Sequence, residues 1–412
     1  MNIFYKYKTI IFIALFILLS GLIGFILYSL FFSSPQKQVT PSDTPISGGS
    51  LPDAQDGDGN IITPGDGGSL PYTEVTKPIT IPEQKNITQG GLSKTTQLSK
   101  SPGANFTASE NGKDIQYYDK YDGKFYKLDD EGNLTKLSDK IFYNVSDVSW
   151  SSSKDKAIIE YPDGANIVYD FTREKQITLP KHWEEFKFSP NDKEIVAKNI
   201  GLDPKNRWLS IANSDGSNIK NIEPLGNNAD RVYSSWSPNN QSVAMFTEGI
   251  DLNRQSLYFV GKNQENFKST VIEGRGFEPQ WAPDGDRLLY SVYSSDNDLK
   301  PTLWIVNAQG EGIGSNRQNL GIETWANKCT FSGTKDLYCA VPYDLKKGAG
   351  LFPDLANSTN DVIYKIDTQT GASRRISVPD KVFTISNIIV SENEETIFFV
   401  DQETNIVHKI DI

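Results

Sequence analysis

The sequence predicts an all-β domain, a seven-bladed β-propeller over residues 92–412, preceded by one transmembrane helix and a disordered linker. Three observations lead there: a hairpin unit that recurs seven times, further short strands after the copies, and a long uncharged apolar run near the N-terminus. Six and eight blades are the alternatives to that count.

The apolar run covers residues 9–32, TIIFIALFILLSGLIGFILYSLFF, where a bilayer-spanning helix needs about 20 such residues. Lys6 and Lys8 precede it, and the sequence beyond Lys37 turns acidic. Cations on the near side keep the N-terminus in the cytoplasm and send everything after Phe32 outside. A cleaved signal peptide would have a shorter apolar stretch ending in small residues, whereas this one ends in Leu30, Phe31 and Phe32. An uncleaved anchor is therefore expected, and with no cysteine following the run it is not a lipoprotein.

Residues 33–91 are dominated by Pro, Gly, Ser, Thr and Asp, a composition that cannot bury enough apolar surface to offset its ordering entropy. As a flexible chain the segment spans on the order of 40 Å. Asp56, Asp58 and Asn60 alternate as in a calcium loop, but Ile61 and Gly67 stand where such a loop needs Gly and a bidentate acid. The linker reading is preferred.

The recurring unit is an aromatic residue, then Ser or Ala, a turn, and an apolar strand. It reads WSSSKDKAII from Trp150, FKFSPNDKEIVA around Phe188, SSWSPNNQSVAMF around Trp236 and QWAPDGDRLLY around Trp281. CTFSGTKDLYCA around Phe331 and IIVSENEETIFFV around Val390 continue it, and FTASENGKDIQYY around Ala108 is the copy without an aromatic. Third strands follow, as in LWIVNAQGEG and VIYKIDTQTG, then fourth strands such as LTKLS and RRISV. Four short strands per unit is the layout of a propeller blade. Pro presets the first turn position, and Asp, Asn and Gly tolerate the left-handed conformation that reverses the chain.

These repeats, WAPDGDRLLY and FSPNDKEIVA above all, resemble the WSPDG repeat of TolB-like propellers, and also the propeller domains of prolyl-oligopeptidase-type peptidases. The resemblance implies the fold from about Leu92 onward and a role in gripping partner proteins. It implies a structural role for Trp150, Trp236 and Trp281.

The last blade stops after its third strand, so residues Thr95 to Ser99 are expected to pair with Ile406 to Ile410 and close the ring. In CTFSGTKDLYC, pairing Phe331 with Leu337 sets Cys329 opposite Cys339 within disulfide range, and an extracytoplasmic compartment would oxidise them.

A net charge of −11 and the lack of a basic run argue against nucleic acid. Only two histidines occur, His182 and His408, both read as structural or surface residues, and no G-x-S-x-G elbow is present. An enzyme is not expected, nor a cofactor or a metal; the alternative is an enzyme with a metal or cofactor in the central channel. The segment before the apolar run is too short for the signalling domain of an envelope-stress sensor. The expected role is a binding or scaffolding module whose partner is an envelope protein.

The second-to-third strand loops are long, and the longest is PYDLKKGAGLFPDLANSTND. Function usually sits on such loops. Tyr343, Leu351, Phe352 and Asp354 are the candidate partner-binding residues, with Leu351 and Phe352 forming an apolar tip between glycines and Pro353. The alternative is that this loop folds back over the blade or the channel mouth.

Overall fold

The structure, a computed structural model, describes residues 90–412 together with residues 16 and 18–22, which are helical. The rest of the 9–32 run, the linker through residue 89 and the stretch around Asp56 lie outside the described residues. Among those described, no helix is long and apolar enough to cross a membrane.

Seven sheets form, six of four strands and one of five. Blade 1 runs from Gly103–Ala108 to Leu134–Lys136, blade 2 from Asp147–Trp150 to Lys175–Leu179, and blade 3 from Trp183–Phe188 to Lys220–Pro224. Blade 4 runs from Val232–Ser234 to Thr270–Glu273, blade 5 from Arg275–Trp281 to Gln318–Asn319, and blade 6 from Cys329–Ser332 to Ser373–Pro379. Blade 7 takes Ile385–Val390, Thr396–Asp401 and Val407–Asp411 from the C-terminal end and Thr96–Gln97 from the other.

Middle strands such as Ile115–Asp119, Asn166–Asp170 and Thr396–Asp401 are buried at every residue. Their near-continuous apolar character follows from the stacking, because each blade is covered on both faces by its neighbours. Outer strands such as Lys175–Leu179 are mostly exposed and polar. The core is accordingly divided into seven clusters at the blade interfaces, with an eighth, smaller one under the blade 6 loop. Tyr118 and Phe125 of blade 1 meet Ile159 and Tyr169 of blade 2 in one of them, and Leu289 of blade 5 meets Leu337 and Cys339 of blade 6 in another.

The Ser of the recurring unit has a mechanical role. Ser189 Oγ donates to Asn191 and accepts the Glu194 N–H at 3.0 Å; Ser237 does the same with Asn239 and Ser242. One hydroxyl thus holds both ends of the turn. Neighbouring turns also bond one another, as where Asp192 accepts the N–H groups of Ser152 and Ser153. Trp150 and Trp236 are structural as expected, with indole N–H groups donating to Asn105 O and Asn240 Oδ1, both at 2.7 Å.

Ring closure follows the expected pairing, with Thr96 opposite Lys409 and Gln97 opposite His408. The entering chain does more than that. Leu92–Ser93 lies parallel to the outer strand of blade 6 as its fifth strand, and the Gly90 N–H donates to Ile376 O at 2.8 Å. Gly90, just before Leu92, is thus already bonded to blade 6. Thr95, between the two strands, bonds Asp380 through its N–H and its hydroxyl. A segment of a few residues thus fastens blade 6 to blade 7.

Candidate functional site

Antiparallel blades put the first-to-second and third-to-fourth turns on one face, and the second-to-third loops with the blade-to-blade connections on the other. The first face carries tight turns, several of them bonded to the next. The second is the loop face, where most of the large apolar side chains left exposed in residues 90–412 gather. Tyr121, Tyr143, Leu202, Leu252 and Val382 lie on separate loops around the ring, with Leu202 99% exposed.

The blade 6 loop, residues 343–360, is the largest contribution. All four candidate residues are exposed on it: Tyr343 at 75%, Phe352 at 62% and Leu351 at 45%, with Asp354 accepting from Asn357 at 3.1 Å. The base of the same loop folds back. Leu345, Ala349 and Ala356 bury against Trp325. Gly348 and Gly350 donate to the carbonyls of Asp298 and Leu299 on the blade 5 loop, both at 2.8 Å. A Cβ on Gly350 would come 2.5 Å from Tyr293, so this close approach needs glycine. The base of the loop therefore folds back as one reading expected, while its tip stays exposed.

Beneath residues 353–357, at the loop-face mouth of the channel, lies a pocket of about 200 Å³. Its walls are Glu278 from blade 5, Trp325, Asn327 and Lys328 from the connection into blade 6, and Ile385, Ser386 and Gln402 from blade 7. Lys328 is ion-paired, at 2.7 and 2.9 Å from the oxygens of Asp361, which is itself buried and accepts the Ile385 N–H. Burial pushes the Lys328 ammonium down and the Asp361 carboxyl up, each opposed by the other's charge. Glu278 has no hydrogen bond or ion pair among the described residues, and its Oε2 is shut off from solvent. Burial pushes its carboxyl up to about 7. In blade 2, burial and then the Asp147 charge push Glu160 to about 7 as well. Sequence reasoning missed both acids, because a glutamate on a short strand reads as a solvated residue.

A larger cleft of about 480 Å³ lies on the outer rim between blades 3 and 4, walled by Ile222, Phe246, Tyr258 and Phe267 among others. It exists because the outer strand Thr270–Glu273 pairs only with Arg254 to Leu257 and leaves the rest of the third strand with only the Val260–Asn266 bridge.

Among the described residues no group of three or more His, Cys, Asp or Glu is placed to hold a metal ion. His182 sits exposed in a turn with φ of 66°, and His408 is buried against Phe383 and Phe399. Cys329 and Cys339 stand opposite, with Cα atoms 4.1 Å apart and a disulfide between them.

No family model and no curated protein matches this sequence. Among solved structures, the β-propeller domain of Cps50 (Swd1) from Myceliophteria thermophila is similar, with a TM-score of 0.53 at 11% identity over 77% of this chain and 99% of that one. Kuenenia stuttgartiensis hydrazine synthase gives 0.53 at 12% identity over 76% and 97% of the two chains. Oligogalacturonate lyase from Vibrio parahaemolyticus gives 0.50 at 10% identity over 77% and 93%. Likeness at these identities shows the fold alone. The chain is a seven-bladed β-propeller.

Proposed function

We propose that this propeller is a binding or scaffolding module of the cell envelope, of the TolB-like kind, that captures a protein partner on its loop face. The observation that carries this reading is the one-sided distribution of exposed apolar side chains, with Leu351 and Phe352 at the tip of the longest loop. Apolar anchors standing on a rigid base bind at low entropic cost. The apolar run at residues 9–32 with Lys6 and Lys8 before it supports an anchor with the propeller outside.

The test is crosslinking on membranes with the wild-type domain and with Leu351→Ser/Phe352→Ser. A protein crosslinked by the wild type and lost in the variant supports the reading. Equal crosslinking by both removes it. For topology, protease added to intact, wall-stripped cells should release the propeller, and full protection would overturn the orientation.

A further inference from the structure

Glu278 presents an anomaly of charge. Glu278 is half-buried, and its Oε2 is shut off from solvent with no donor, which is unfavourable because buried polar atoms are nearly always paired. The only cation in the pocket wall, Lys328, is already bound on both oxygens of Asp361, so that pair is neutral as a unit. When Glu278 ionises, no cation of the pocket wall is free to balance it. Around it stand the amides of Asn327 and Gln402 and the hydroxyl of Ser386, while Trp325 and Ile385 give apolar wall. About 200 Å³ is room for one lysine-sized chain rather than a larger ligand.

We propose that the channel-mouth pocket binds a primary ammonium on the Glu278 carboxylate, its methylenes lying against Trp325 and Ile385. A lone carboxylate with amides and an aromatic wall suits an organic cation better than a metal ion, which needs several charged or imidazole ligands. The ammonium comes from a lysine of the docked partner or from a small free amine. As the former it deepens, and rests on, the loop-face reading, because residues 353–357 of the same loop roof the pocket. Glu278, pushed up to about 7 by burial alone, ionises when the cation arrives.

The test uses n-butylammonium, 1-butanol and a lysine tripeptide blocked at both ends, titrated into the propeller and followed by NMR at the side-chain amides of Asn327 and Gln402. Butylammonium should bind and butanol should not. Glu278→Gln should weaken binding at least tenfold, whereas Glu160→Gln, a like change in blade 2, should leave it unaltered. Binding by the tripeptide assigns the site to a lysine side chain; binding by butylammonium alone assigns it to a free amine. No binding by the wild type, equal binding by butanol, or retained binding in Glu278→Gln overturns the proposal. None of these probes requires Leu351 or Phe352, so the loop-face reading stands or falls separately on its own crosslinking test.

Discussion

Gln97 pairs with His408, so the first residues of the domain supply the outermost strand of its last blade. The Leu98 N–H then donates to Val407 O at 2.9 Å, and the Leu98 side chain packs with Ile115, Leu128 and Val400. Leu98→Ala should cost about 2–4 kcal/mol in denaturant unfolding through the cavity it leaves at the closing interface. Leu92→Ala, at an exposed position on the blade 6 strand, should cost less than about 0.5 kcal/mol. Equal costs would show that closure does not rest on the Leu98 contact.

The disulfide joins residues ten apart in sequence, across a hairpin that the sheet already defines. Thiol labelling of the denatured, unreduced protein should find no free cysteine. Reduction should lower stability by about 2–3 kcal/mol at most, since the loop it closes is short.

Within the blade 6 loop, tip and base should separate cleanly. Leu351→Ser/Phe352→Ser should shift stability by less than about 1 kcal/mol, because both side chains are already exposed. Leu345→Ala, at a buried position against Trp325, should cost about 2–3 kcal/mol. Thermal melting of the three proteins decides it.

Glu160 and Glu278 give the domain a pH response of defined sign. Burial raises both from 4.5 to about 7, so between those values the folded state binds more protons than the unfolded one. Their contribution is fully present below the unfolded value and is lost as pH rises through about 7. Glu278→Gln should therefore stabilise the protein at about pH 8 by about 1–3 kcal/mol and change little at about pH 5. Glu160→Gln should act in the same direction, since burial and the Asp147 charge raise its carboxyl to the same value. Melting curves at the two pH values of each variant against wild type test this.

The Lys328–Asp361 pair should be costly to break and much less costly to replace. Lys328→Met alone leaves a buried carboxylate without its cation and should cost about 3–5 kcal/mol. Adding Asp361→Asn removes that charge while keeping an acceptor for the Ile385 N–H, and should restore most of the loss. A double variant as unstable as the single one would show that the pair acts through packing rather than charge.

The sequence by itself determined the seven blades, their four-strand plan, the closing pairing and the cysteine partnership. The closing pairing was read from an incomplete last blade; the others rest on local rules, since the Ser-centred turns around Ser189 and Ser237 and the register of one hairpin at Cys329 repeat the same short-range chemistry wherever they occur. The exposed tip at Leu351 and Phe352 was legible for a similar reason, since glycines and a proline mark it as loop. Only the tertiary structure decided what depends on distant segments meeting. Leu92–Ser93 reads like the start of a closing strand, yet it joins blade 6, because the outer edge there is free and Asp380 holds Thr95 at the corner. Glu278 reads as any surface acid until blades 5, 6 and 7 converge and the blade 6 loop roofs it, leaving its carboxylate among amides with no cation of its own. Burial is a property of the whole ring, and the charge of a buried group is set by neighbours far away in the chain.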